Sequence, residues 1–191
     1  MAEEFSRLFS SVPDFMTELE TAGVDFHVGL VTMDLDTDNI ESATLVGPVI
    51  TNATPDPTAE LQAQLPTADD GSDNEQGLAV AAAAMLPPLV DTRNAGFLRS
   101  EASLAIVMVS DENDCSGLGE DATGNDCYEH YAELTPVVDL VDDLRAIKQG
   151  SAGVLTLSGL IGPDYPGCAD SVPGKRYAEA IGLVGGVRES I

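Results

Sequence analysis

The stretch Ser103-Leu104-Ala105-Ile106-Val107-Met108-Val109-Ser110-Asp111-Glu112 decides how this chain is read. Leu104 to Val109 is an unbroken apolar run rich in β-branched residues, and it ends abruptly in acids. A strand without polar alternation is the kind buried on both faces, as in a parallel sheet. Downstream, Val154 to Ile161 (VLTLSGLI) repeats the pattern. Between the two, Val137, Val138, Leu140, Val141, Leu144 and Ile147 keep a helical phase. Strand, amphipathic helix, strand is a crossover unit, and crossovers join parallel neighbours.

The same reading extends outward. Lys175 to Val184 forms a last helix, after which Gly185-Gly186 turns the chain into a short strand over Val187 to Ile191. Upstream, Asn74 to Met85 (NEQGLAVAAAAM) is a helix whose alanines permit close approach to a sheet, ended by Pro87-Pro88. Asn52 to Asp73 is mostly loop, with a short helix around Thr58 to Leu65. Asp25 to Met33 (DFHVGLVTM) reads as a buried strand, and Thr44 to Thr51 as a weaker one whose Pro48 suits an edge. Ala2 to about Ala22 carries apolar residues at Phe5, Leu8, Phe9, Val12, Phe15, Met16 and Leu19, a helix that Pro13 should kink. The fold expected is a single α/β domain over residues 1–191, a doubly wound, mostly parallel sheet with helices on both faces.

Composition bounds the function. The 191 residues hold 33 acidic and 8 basic side chains, for a formal charge of -25, a balance that excludes neutralising the phosphates of nucleic acids or anionic membranes. Hydrophobic residues at 43% and a mean hydropathy of +0.04 mark a chain that folds instead of an acidic disordered tail. No apolar run is long enough to span a bilayer, and Met1 opens no basic-then-apolar signal pattern.

In open α/β sheets the ligand site lies beyond the carboxyl ends of the strands. Here those ends are acidic: Asp34, Asp36 and Asp38 after the first strand, Glu75 before the Ala-rich helix, and Asp111, Glu112 and Asp114 after the central strand. Gathered carboxylates repel phosphate and attract hard cations, so Mg²⁺ or Ca²⁺ is the cofactor expected. Each acid taken alone is an ordinary solvated residue of an acidic protein; Asp111, directly following the central strand, is the best candidate ligand. The Asp34, Asp36, Asp38 spacing is not an EF-hand, because Asn39 and Leu45 replace its glycine and its glutamate. No phosphate-cradling glycine motif follows a strand.

Taken together, Met1-Ala2-Glu3-Glu4 opening the first helix, Phe26-His27-Val28-Gly29-Leu30-Val31-Thr32, Asn74-Glu75-Gln76-Gly77-Leu78, and Ala105 through Cys115 (AIVMVSDENDC) resemble the von Willebrand factor A-type (VWA) domain of exported bacterial lipoproteins and surface proteins. The resemblance covers nearly the whole chain in order. It implies a Rossmann-like fold and a metal-ion-dependent adhesion site in which Asp111 matches the ligand after the fourth strand; with Glu75 and Asp34 taken from the acidic strand and helix ends, the metal ligands expected are Asp111, Glu75 and Asp34. The D-x-S-x-S motif of that family has no counterpart here, and Asn74, Glu75 and Gln76 stand where it has a threonine. In the family the motif immediately precedes the helix that Met-Ala-Glu-Glu opens. The resemblance therefore places the motif and the central first strand upstream of Met1, and the domain is expected to be truncated at both ends.

Cys115 and Cys127 bracket a polar loop, and a disulfide between them would restrain it by about 3 kcal/mol. Cys168 is left over; the resemblance gives it a partner cysteine just beyond Ile191. Oxidised cysteines imply export, to the periplasm, the cell surface or the extracellular space. His27 lies inside an apolar strand and His130 in a polar stretch, and neither sits in a nucleophile motif such as G-x-S-x-G. The chain has no Trp for a sugar platform, and no enzymatic activity is expected. Two functions remain: an adhesion or protein-protein interaction module whose cation shell is completed by a partner's acidic side chain, and a structural domain that has lost metal binding.

Overall fold

The structure, a computed structural model, describes residues 2–33, 40–66, 74–119, 126–149, 153–164 and 171–191. Its helices are α1 (Ala2–Thr21), α2 (Pro57–Gln64), α3 (Gly77–Ala84), α4 (Asp126–Glu129), α5 (Val137–Ile147) and α6 (Lys175–Val184); its strands are β1 (His27–Val28), β2 (Ile50–Thr51), β3 (Leu104–Ser110), β4 (Leu155–Ile161) and β5 (Arg188–Ser190).

β3, β4 and β5 form a parallel sheet in that order, with Leu104 opposite Leu155 and Ser110 opposite Ile161. The α/β class and this half of the topology follow the sequence closely. The main core lies under one face of the sheet, where Leu104, Met108, Leu157 and Ile161 meet Leu78 and Ala81 of α3, Val141 and Leu144 of α5, and Tyr177 and Ile181 of α6. The other face is open among the described residues. Ala105 and Thr156 are exposed and Val107 is 58% exposed. Of the helix cover expected on both faces, the described residues supply it on one, and within them the apolar run of β3 is buried on that face alone.

The N-terminal half departs further. The strand expected over residues 25–33 is regular only at His27–Val28, and that expected over 44–51 only at Ile50–Thr51; the two pair antiparallel and form no ladder with β3. The physical reason lies in Gly47-Pro48. Gly47 takes a positive φ of 73°, where glycine alone is unstrained, and Pro48 has no N–H to donate. The pairing that begins at Val28–Ile50 thus resumes only as a single bond from Val46 N–H to the Leu30 carbonyl, 2.8 Å.

A second core joins α1 and α2 to this small sheet through Val12, Met16, Phe26, Ile50, Leu61 and Leu65. Pro13 lies inside α1 and cannot donate to the Phe9 carbonyl four residues back. Gln62 Nε2 of α2 donates to that carbonyl instead, at 3.0 Å. α2 begins with the Asp56 side chain accepting from Ala59 N–H and with Pro57 in its first turn, both standard start signals.

Candidate functional site at the carboxyl edge of the sheet

The acids that follow β3 fold back over the start of α3. Gln76, the residue before α3, makes no side-chain cap, so the helix's first N–H groups need partners from elsewhere. They find three: the Tyr177 hydroxyl accepts from Gly77 N–H at 3.2 Å, Asp114 Oδ1 from Leu78 N–H at 3.1 Å, and the Ser116 hydroxyl from Ala79 N–H at 3.1 Å. A buried helix end is thereby capped by residues 36 to 100 positions away.

Asp114 is the centre of this junction. It is fully buried and also accepts from the Ser116 hydroxyl at 2.8 Å and from Arg176 Nε at 3.1 Å. Arg176, itself 2% exposed, turns its Nη2 to the Thr135 carbonyl at 2.7 Å. Its own backbone N–H donates to Asn113 Oδ1 at 3.0 Å. Burial raises the Asp114 carboxyl above its usual range, against the Arg176 charge and the bonds from Leu78, Ser116 and Arg176, which pull it down. Burial likewise pushes the Tyr177 hydroxyl well up, assisted by the negative charges of Asp114 and Glu75.

Of the three expected metal ligands, two are described, and both adjoin Ser110, Glu75 by a hydrogen bond and Asp111 along the chain. Glu75 precedes α3, and its carboxylate accepts from the hydroxyl of Ser110 at the end of β3; its carbonyl accepts from Cys115 N–H at 2.7 Å. Asp111 is the next residue after Ser110 and is half-buried, its carbonyl held by Val172 N–H at 2.7 Å. Asp34 lies outside the described residues, as does Cys168. Among the described residues no three of His, Cys, Asp and Glu converge to hold an ion. Two carboxylates and a hydroxyl have the oxygen chemistry of a hard-cation site but only part of the usual six to eight ligands.

Cys115 and Cys127 are disulfide-bonded with their Cα atoms 5.2 Å apart, so the loop leaving this junction is tied back beside it. His27 Nδ1 pairs with the Phe97 carbonyl at 3.0 Å, a structural partner for a half-buried ring, and His130 pairs with Glu133 at the surface. Reading the sequence for ligands missed Arg176, Tyr177 and Ser116. One signal existed: Lys175-Arg176 opens α6, where the helix dipole disfavours cations unless an acid is waiting.

No family, no characterised protein and no solved structure matches this chain. Among the described residues no helix is long and apolar enough to cross a membrane.

Proposed function

We propose that this chain is a VWA-like interaction module of an exported protein, binding a protein partner at the acidic carboxyl edge of its parallel sheet and acting by binding, not catalysis. In this reading a Mg²⁺ or Ca²⁺ ion is held by Asp111 and Glu75, with Asp34 as third ligand, and an acidic side chain of the partner completes its shell. The observation that carries it is the bond from the Ser110 hydroxyl to Glu75, which sets a carboxylate from before α3 beside the residue preceding Asp111. The disulfide between Cys115 and Cys127 supports an oxidising compartment. Because the site is expected to be incomplete without the D-x-S-x-S motif, titration calorimetry on the full-length form tests the cation step: Mg²⁺ or Ca²⁺ binds the wild type saturably, and Asp111→Asn abolishes binding. Heat no greater than dilution in the wild type overturns it.

A second reading is a structural domain without a bound cation, its acidity serving solubility in salt. It is favoured by Asp114, the most buried acid of the cluster, being committed to Arg176 and to the start of α3. Unfolding separates the two. Stabilisation by millimolar Mg²⁺ beyond that of NaCl at equal ionic strength belongs to the module, and equal stabilisation by both salts to the structural domain.

A further inference from the structure

The loop leaving β3 is bound at six points to the residues that open α3. The Ser110 hydroxyl donates to Glu75, and Asp114 Oδ1 and the Ser116 hydroxyl accept from Leu78 and Ala79 N–H. Cys115 N–H donates to the Glu75 carbonyl, Gly117 N–H to Gln76 Oε1 at 3.3 Å, and Asn74 Nδ2 to the Gly119 carbonyl at 3.0 Å. The partners lie 35 to 45 positions apart, and none of these bonds lies within a helix or a sheet ladder. Cys115 is central in the row, flanked by the two residues that cap Leu78 and Ala79. Its buried sulfur joins Cys127 of α4, which is 1% exposed, and the strap closes behind it where Thr135 N–H donates to the Ser116 carbonyl at 3.0 Å. Gly117 permits that closure: its φ is 108°, and a Cβ there would stand 2.5 Å from Thr135 N.

Apart from the disulfide, segment 111–119 is weakly held. Its buried apolar side chains are Cys115 and Leu118, and polar bonds made in exchange for bonds to water contribute little net stability. Opening would return Asp114 and Arg176 to water together, which recovers the cost of burying that pair. A segment with so few buried apolar contacts opens locally while the rest of a protein stays folded. The cross-link, twelve residues apart in sequence, opposes that opening by on the order of a hundredfold. We infer that the Cys115–Cys127 disulfide is a redox latch on the start of α3. Oxidised, it keeps Asp114 and Ser116 on the helix N–H groups and Glu75 beside Ser110; reduced, it lets segment 111–119 open while the sheet of β3, β4 and β5 stays folded. The reductant is a dithiol: its thiolate attacks one sulfur and its second thiol resolves the mixed disulfide. Two electrons and two protons pass to Cys115 and Cys127, which become thiols as the dithiol becomes a disulfide. Both sulfurs are buried, so the latch is set as the chain folds, by the redox poise of the compartment where it does so. The latch governs the edge at which a partner is proposed to bind, and it rests on no cation.

Amide exchange on the full-length form, in EDTA, tests the latch in three states: oxidised, reduced by dithiothreitol, and with Cys115→Ala and Cys127→Ala combined. In the oxidised chain the Leu78, Ala79 and Cys115 amides should exchange in step with those of the β3–β4 ladder, because the strap opens only when the sheet does. In the reduced chain and in the double variant they should exchange at least about tenfold faster than the ladder, and with a smaller dependence on urea, the mark of a local opening. The double variant leaves Cys168 intact, so agreement between those two states assigns the effect to this disulfide. EDTA keeps divalent cations away, so failure of the cation reading leaves these results unchanged. Three results overturn the proposal: capping amides that stay in step with the ladder once the disulfide is gone, capping amides that already run ahead of the ladder in the oxidised chain, or an effect of dithiothreitol that the double variant does not reproduce.

Discussion

Asp114 shows how a residue that reads as a ligand becomes a structural cap. Its carboxylate joins the start of α3 to Arg176 at the start of α6, with both members of the pair almost wholly buried. Breaking such a pair from one side leaves an uncompensated buried charge, so Arg176→Met and Asp114→Leu should each destabilise by about 3–5 kcal/mol. The double variant should be less damaging than the sum, which a double-mutant cycle in urea measures. The raised pKa adds a dependence on pH. Between the ordinary aspartate range and the raised folded value, the native chain holds a proton that the unfolded chain has released. This contribution to stability is full below the ordinary aspartate pKa and is lost as pH rises through that window. Asp114→Asn should remove that component of the slope, seen by comparing denaturation midpoints of variant and wild type from acid to neutral pH. At Gly77, an added Cβ would stand 2.7 Å from the Tyr177 hydroxyl and 3.1 Å from Met33 Sδ, so Gly77→Ala should cost about 1–3 kcal/mol despite its better helix propensity.

At the scale of elements, two connections compensate for local defects. α1 keeps Pro13 because Gln62 of α2 binds the carbonyl that the proline strands; Gln62→Leu should cost about 1 kcal/mol, and the loss should disappear in a Pro13→Ala background, where the helix supplies its own donor. The disulfide ties the loop after β3, and its removal by Cys115→Ala with Cys127→Ala should lower stability by about 3 kcal/mol without altering the β3–β4 pairing, as seen by amide exchange. Elements were legible in the sequence where one periodicity governed them. α5 and α6 fall on the expected residues, because their apolar stripes have a single partner surface. The segment 25–33 was read as a full strand because its apolar run is genuine, yet a strand also needs a paired neighbour, and local sequence carries no record of one. The same gap in information holds at β3, where apolar character on both faces is matched by helices on one face among the described residues.

For the molecule as a whole, the charge of -25 sets the solution behaviour: self-repulsion should make stability rise with NaCl, reaching a plateau once screening is complete, and thermal melts across a salt series check it. The candidate site was legible in part. Asp111 and Glu75 could be chosen because strand ends and helix starts can be read from hydropathy, and the fold sets them on either side of Ser110. Arg176 and Tyr177 could not be chosen, because they reach the same junction from a hundred residues away at Gly77 and 62 away at Asp114.

What the sequence determined by itself was the α/β class, the parallel crossover from Leu104 to Ile161, the acidity of the sheet's carboxyl edge and the pairing of Cys115 with Cys127. These follow from local periodicity, from strand ends and from short separations along the chain. Only the tertiary structure decided which acids serve as caps, that one face of the sheet is uncovered among the described residues, and that an apolar cleft runs along β3. Each of those depends on long-range packing, where the partner of a group is fixed by the path of the whole backbone and leaves no periodic trace in the neighbouring residues.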